Sequence, residues 1–218
     1  MNRRTLLRAA RTVAALGVAA AVTVALAQQP ARSAFTGTTG TAGSSVGSAP
    51  QFCSAPQSTL ISTGDSWTDS AAPAATHGSD TFLKVSSAGA RTWIRFTLPS
   101  IPAGCVLGSA VLSVRARTPA ATRNIDVYRG DPAAPQWASG TITWTGQPSG
   151  VGTAVGSASL AAPGWQNWTV TAHVAQQYAA GNNGFLLKDR AEGSGSVEQI
   201  YEDLQNATYK PTLVLTWN

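Results

Sequence analysis

Charge is what this sequence of 218 residues lacks most. Asp, Glu, Lys and Arg make up 11% of it, against about 25% in an average soluble chain. With hydrophobic residues at 43%, a chain kept unfolded by self-repulsion is excluded. There are only three Lys and three Glu, so bundles or coiled coils with charged outer faces are excluded too. The two His, His77 and His173, are not part of any His-Glu-x-x-His pattern. There is no Cys-x-x-Cys pair and no phosphate loop, which removes the common zinc, redox and nucleotide motifs. What the chain does have is Gly (21), Pro (12) and many Thr, Ser and Val, the material of short strands joined by turns.

The formal net charge of +5 comes largely from one end. Arg3, Arg4, Arg8 and Arg11 precede an uncharged Ala/Val-rich run over 12–27, while all ten acids lie after residue 60. Without residues 1–27 the count is 11 bases and 10 acids, a net of +1, so no basic stripe for nucleic acid is expected. The uncharged run is shorter than the roughly 20 residues that span a bilayer. It ends in Ala25-Leu26-Ala27, a small-x-small cleavage pattern. Residues 1–27 are therefore expected to be a secretory signal peptide, the alternative being an uncleaved anchor. Arg3-Arg4-Thr5-Leu6-Leu7-Arg8 also resembles a twin-arginine motif, so export by either the Sec or the twin-arginine route fits. Residues 28–58 are mostly Gly, Ser, Thr, Ala, Pro and Gln without apolar periodicity, and read as a flexible low-complexity stalk. Residues 59–218 are left for one domain, long enough to bury a full core. In an exported chain the even pair Cys53 and Cys105 is expected to form a disulfide.

Period-2 patterns fill that domain. Ile94, Phe96 and Leu98 alternate with Trp93, Arg95 and Thr97. Ala110, Leu112, Val114 and Ala116 alternate with Val111, Ser113, Arg115 and Arg117, giving one buried and one wet face. Ile125 and Val127 repeat the pattern, and further strands are expected at 81–86, 141–144, 153–160, 165–170, 184–189, 198–202 and 211–217. Turn signals at Gly130-Asp131-Pro132, Gly146-Gln147-Pro148, Pro163-Gly164 and Gly181-Asn182-Asn183-Gly184 separate them. Only Thr171 to Ala180 reads as a helix, with a cap at Thr169 or Thr171 and a stop at Gly181. The fold class this predicts is all-β: a jelly-roll-like antiparallel β-sandwich with one short helix.

Four blocks carry a family resemblance. They are Arg91-Thr92-Trp93-Ile94-Arg95-Phe96-Thr97-Leu98-Pro99 running on to Val114; Val127-Tyr128-Arg129 with Gly140-Thr141-Ile142-Thr143-Trp144; Gly164-Trp165-Gln166-Asn167-Trp168-Thr169-Val170 with Asn182-Asn183-Gly184-Phe185; and the closing Lys210-Pro211-Thr212-Leu213-Val214-Leu215-Thr216-Trp217. In this order they resemble the DNRLRE-type domain, also classed as carbohydrate-binding module family 96, over nearly all of 60–218. Gly64-Asp65-Ser66-Trp67-Thr68-Asp69 with His77-Gly78-Ser79-Asp80 resembles that family's opening strand and loop, and Arg95 matches a recurrent arginine of it. The resemblance implies a jelly-roll sandwich of secreted bacterial and archaeal proteins, with polysaccharide as ligand where one is known, acidic polymers included.

Strand parity suggests where a glycan would bind. Trp93 and Arg95 face away from Ile94 and Phe96. On the strands expected beside them Arg115, Arg117, Tyr128 and Lys188 take the same wet side. Arginines bind carboxylates bidentately and aromatic rings stack on sugars, so this set suits a uronate polymer. Asp65, Asp69 and Asp80 are candidates for a structural calcium ion, although turn capping explains such aspartates equally well; no cofactor is required. Glu198 and Glu202, at i, i+4 on a strand, would sit about 13 Å apart, too far for a glycosidase pair. Catalysis is therefore not expected. The reading is a secreted, monomeric, non-catalytic module whose partner is a polysaccharide or cell-wall glycan, with no nucleic acid and no membrane contact except through an uncleaved leader. A structural or adhesive surface protein is the alternative, and a small polysaccharide lyase or hydrolase is a third reading.

Overall fold

The structure is a computed structural model that describes Cys53 and residues 56–218. The expected signal peptide and all of the expected stalk except Cys53 and residues 56–58 lie outside the described residues. The strands, in order, are β1 (Gln57–Ile61), β2 (Gly64–Asp69), β3 (Leu83–Ser86), β4 (Ala90–Arg95), β5 (Leu107–Thr118), β6 (Asn124–Gly130), β7 (Gly150–Ala158), β8 (Gly164–Thr169), β9 (Phe185–Asp189), β10 (Glu198–Tyr201) and β11 (Thr212–Trp217). The helix α1 (Thr171–Ala180) lies between β8 and β9. Every strand pair is antiparallel.

The pairing falls into two halves. One half runs β2-β4-β9-β6-β7. In the other, β5 pairs β8 along 111–116, β11 along 107–113, and β10 near Ala116 and Thr118, with β1 beyond β11 and β3 beyond β10. The halves are joined by a single pair, Ser86 with Ala90, in the β3–β4 hairpin. The sheet curls over at this hairpin, and the alternate apolar residues of both halves meet. Ile94, Ile125, Val127 and Leu187 from one half pack in a single core with Leu112, Val114, Trp168, Tyr201, Leu213 and Leu215 from the other. The architecture is thus a jelly-roll-like β-sandwich with one short helix.

The Cys53–Cys105 disulfide spans 52 positions and ties the chain ahead of β1 to the turn before β5. At that loop length a cross-link stabilises by roughly 4 kcal/mol through the unfolded chain. Three local expectations are revised. Residues 141–144 form turns and irregular backbone rather than a strand: their apolar side chain Ile142 is buried, but from within a loop that packs it with Trp93 and Leu186, not in a ladder. The β4 strand stops at Arg95 because its partners end there, Gly64 of β2 opposite Arg95 and Phe185 of β9 opposite Ile94. The helix has Val170 at its N-cap with no side-chain cap; the hydroxyl of Thr171 instead accepts from the Ala110 N–H at 3.0 Å, which ties the helix to β5.

Candidate functional site

The long 131–149 loop between β6 and β7 determines what happens on the first half. It folds over the outer face of β4 and β9 and forms a second, smaller core of Trp93, Trp137, Ile142 and Leu186, with Tyr128 at its edge. Trp93 is 0% exposed. Its indole N–H donates to Gln147 Oε1 at 3.0 Å, and the same oxygen accepts from the Thr68 hydroxyl at 3.1 Å. Parity had placed Trp93 on the wet side of β4, and it does point away from the main core; the loop makes that side dry. Trp93 is therefore corrected from an exposed stacking residue to a core residue.

The other expected ligand residues do not share one face. Arg95, Tyr128 and Lys188 lie on the first half. Arg115 and Arg117 are on β5, in the second half, separated from β4 by β3 and β10 in the pairing order. The reason is topological: β4 and β5 are neighbours in sequence but do not pair. At the edge of the loop-covered face, Tyr128 and Lys188 line a shallow pocket of about 280 Å3 with Arg91. Both cations there are already engaged with Glu192, Arg91 at 2.8 Å and Lys188 at 3.7 Å.

The second half is different. On the outer side of β5 and β8 near Arg115 two large aromatic side chains stay exposed. Trp165 on β8 is the cross-strand partner of Arg115 and is 41% exposed; Tyr209, just before β11, is 37% exposed. Their rings meet edge to face at 6.3 Å. The Arg115 guanidinium lies 4.0 Å from the Tyr209 ring centre, and that of Arg117 lies 5.7 Å from the Phe82 ring. Both arginines look toward Glu202, a buried carboxylate, but only at 3.6 and 3.8 Å. The closer partner of Glu202 is the Asn206 side-chain N–H at 3.0 Å. By contrast Arg123 and Arg190 hold Asp189 and Asp126 through charge-assisted hydrogen bonds of 2.6 and 2.7 Å. The platform arginines thus keep donors to offer.

Trp165 and Tyr209 were not singled out from the sequence. For Trp165 the signal existed: in 164–169 it alternates with the buried Gln166 and Trp168. Tyr209 sits in an irregular segment after β10, and only the folded chain brings it to β8.

The expected cation site is not formed. Among the described residues no group of three or more acids, histidines or cysteines is placed to hold a metal ion. Asp65, Asp69 and Asp80 each have a separate task. Asp65 is buried and accepts from the Leu204 N–H at 2.7 Å. Asp69 caps the Ala71 N–H. Asp80 accepts from the Trp67 indole and meets His77, which stacks on Trp67 at 3.6 Å. Burial pushes the Asp65 carboxyl up to about 7, opposed by the Leu204 bond and reinforced by Asp203 nearby. Asp203 is also raised, mainly by burial. His173 is buried with its Nε2 near the Val127 carbonyl, and burial lowers its pKa, a packing role. Glu198 pairs with Lys84 while Glu202 is buried behind the arginines, so the two do not flank a common cleft.

Comparison with protein-family models gives a match to carbohydrate-binding module family 96 over residues 56–217. Among curated proteins no match is found.

Proposed function

Since the chain belongs to carbohydrate-binding module family 96, we propose that it is a non-catalytic module that binds an acidic, uronate-containing polysaccharide, and that the platform of Trp165, Tyr209, Arg115 and Arg117 is where the polymer lies. The observation that carries this is the exposed aromatic pair flanked by two loosely held guanidiniums. A pyranose C–H face stacks on Trp165 and gains the burial of an exposed ring. Tyr209 stands edge-on and limits the sugar's position. Arg115 and Arg117 share one carboxylate, so the patch retains a positive charge, and planar guanidiniums suit carboxylates. No group on the platform has the paired geometry of a glycosidase. The reading is of a surface that holds a polymer and releases it unchanged, in keeping with the export expected from the leader.

The test is affinity electrophoresis of the full chain through gels containing polyuronate, sulfated polysaccharide or neutral glucan. Retardation by polyuronate that weakens with added salt is expected, because exposed charge pairs are screened within about 8–10 Å at physiological ionic strength. Equal retardation by neutral glucan would contradict the acidic assignment. Migration unaffected by any polymer would contradict glycan binding and favour a structural surface role.

A further inference from the structure

Away from the platform, where β4 ends, lies a groove of about 680 Å3, within the roughly 300–1,000 Å3 range of small-ligand sites. Polar side chains from five separate segments converge on it: Thr63 from the β1–β2 link, Arg95 from β4, Gln136 from the 131–149 loop, Gln177 from α1 and Asn182 from the link after it. Leu98 and Pro99 supply an apolar wall. Its lining contains no Asp, Glu or Lys.

Two features of this groove are unfilled by the protein. The first is Arg95. It donates Nη1–H to the Trp137 carbonyl at 2.7 Å and has its guanidinium 5.3 Å from the Trp137 ring. Of the ion pairs among the described residues none involves Arg95. A guanidinium has five N–H donors in a planar fork, so a charged fork remains for an anion. The second is Gln177, 3% exposed. Its side-chain N–H donates to the Gly184 carbonyl at 2.9 Å, while its Oε1 is buried without a partner. A buried acceptor left unpaired costs about 1–3 kcal/mol, which a ligand hydroxyl would relieve. The groove is held rigidly. Asn182 donates to the Phe96 carbonyl at 2.7 Å and accepts from Gly184 N–H at 3.0 Å. At Gly184, φ is +77° and a Cβ would meet the Ile94 carbonyl oxygen at 2.5 Å, so only glycine fits where the chain enters β9 beside the end of β4.

We infer that this groove is a second saccharide site, taking a single carboxylate-bearing sugar unit with its carboxylate on Arg95 and a hydroxyl on Gln177 Oε1. The inference shares with the proposed function only the acidic nature of the glycan. It does not use Trp165 or Tyr209, and a polymer held at both places would gain avidity without a new contact.

The experiment follows 1H–15N spectra of the full chain during titration with sodium glucuronate, and with glucose as the uncharged control. Glucuronate is expected to shift the Gln177 and Asn182 side-chain amides and the Arg95 Nε–H saturably, in the wild type and in Trp165→Ala alike. Thr63 is exposed at the groove edge; its backbone N–H donates to the Arg95 carbonyl at 2.7 Å, and its hydroxyl adds only a longer 3.3 Å bond to the same oxygen. Thr63→Glu should therefore fold and weaken glucuronate at least tenfold, while Thr63→Gln leaves it unchanged. Shifts confined to residues around Trp165 and Tyr209, or none at all, would overturn the groove site whatever the polymer experiment shows. An equal response to glucose would overturn its assignment to acidic sugars.

Discussion

The two outer faces of this sandwich begin from the same material and end differently. On β4 a tryptophan and two arginines point outward, and on β5 and β8 a tryptophan and two arginines do the same. The first set is roofed by the 131–149 loop, which turns Trp93 into the centre of a small core and leaves Arg91 bound to Glu192. Among the described residues no such loop packs on the second set, and Trp165 keeps 41% of its surface exposed. Strand parity decides only which side a residue takes. Whether that side is wet depends on the connections, and here one long loop separates a buried tryptophan from an exposed one.

The sharpest way to break this comparison is to truncate one tryptophan on each face. Trp93→Ala should cost about 3–5 kcal/mol, the range for a large buried aromatic, and should lower the melting temperature by many degrees in a thermal scan. Trp165→Ala should leave the melting temperature nearly unchanged. Equal melting temperatures for the two variants would show that the loop does not form a core. Next in size is the staple at the edge of the second half. Cys53→Ser should lose about 2–5 kcal/mol in denaturant unfolding, and the wild type under reducing conditions should match it.

A third effect is set by pH. The Asp65 carboxyl is raised by burial to about 7, above its unfolded value near 3.9, so the folded state holds the proton more tightly. The stabilisation this gives is full below the unfolded pKa and is lost as pH rises toward 7, with a slope of at most about 1.4 kcal/mol per pH unit; Asp203, also raised, adds in the same direction. Stability of the wild type should thus fall between about pH 4 and 7 and level off above that. Asp65→Asn, whose amide oxygen still accepts from Leu204, should flatten that fall; an unaltered slope would mean that Asp65 titrates normally. The smallest effect belongs to the roof itself. Gln147→Ala removes the acceptor shared by Trp93 and Thr68 and should cost about 1–3 kcal/mol, as two buried donors lose their partner.

Much of the fold was legible because its strands carry strict alternation. Leu112, Val114 and Ala116 on β5, and Leu213, Leu215 and Trp217 on β11, are buried at every second position. The helix was legible from one uninterrupted segment ending at Gly181. The 141–144 segment misled because Ile142 is buried from within a loop, and a buried loop residue leaves the same apolar mark in sequence as a buried ladder residue. The candidate site was legible in part. Arg115 and Arg117 follow from parity, and Trp165 could have been found by the same argument. Their separation from Arg95, Tyr128 and Lys188 could not, since it depends on β10, from a distant part of the chain, pairing with both β5 and β3 and so placing both strands between β5 and β4. Tyr209 reaches the platform only through tertiary pairing.

Calorimetric titration of the full chain and of Trp165→Ala with one oligouronate tests the central claim most directly. The unroofed platform predicts saturable binding by the wild type, a loss of at least tenfold in affinity for Trp165→Ala, and matching melting temperatures for the two. The same dissociation constant for both proteins would contradict the assignment of the open face as the binding face.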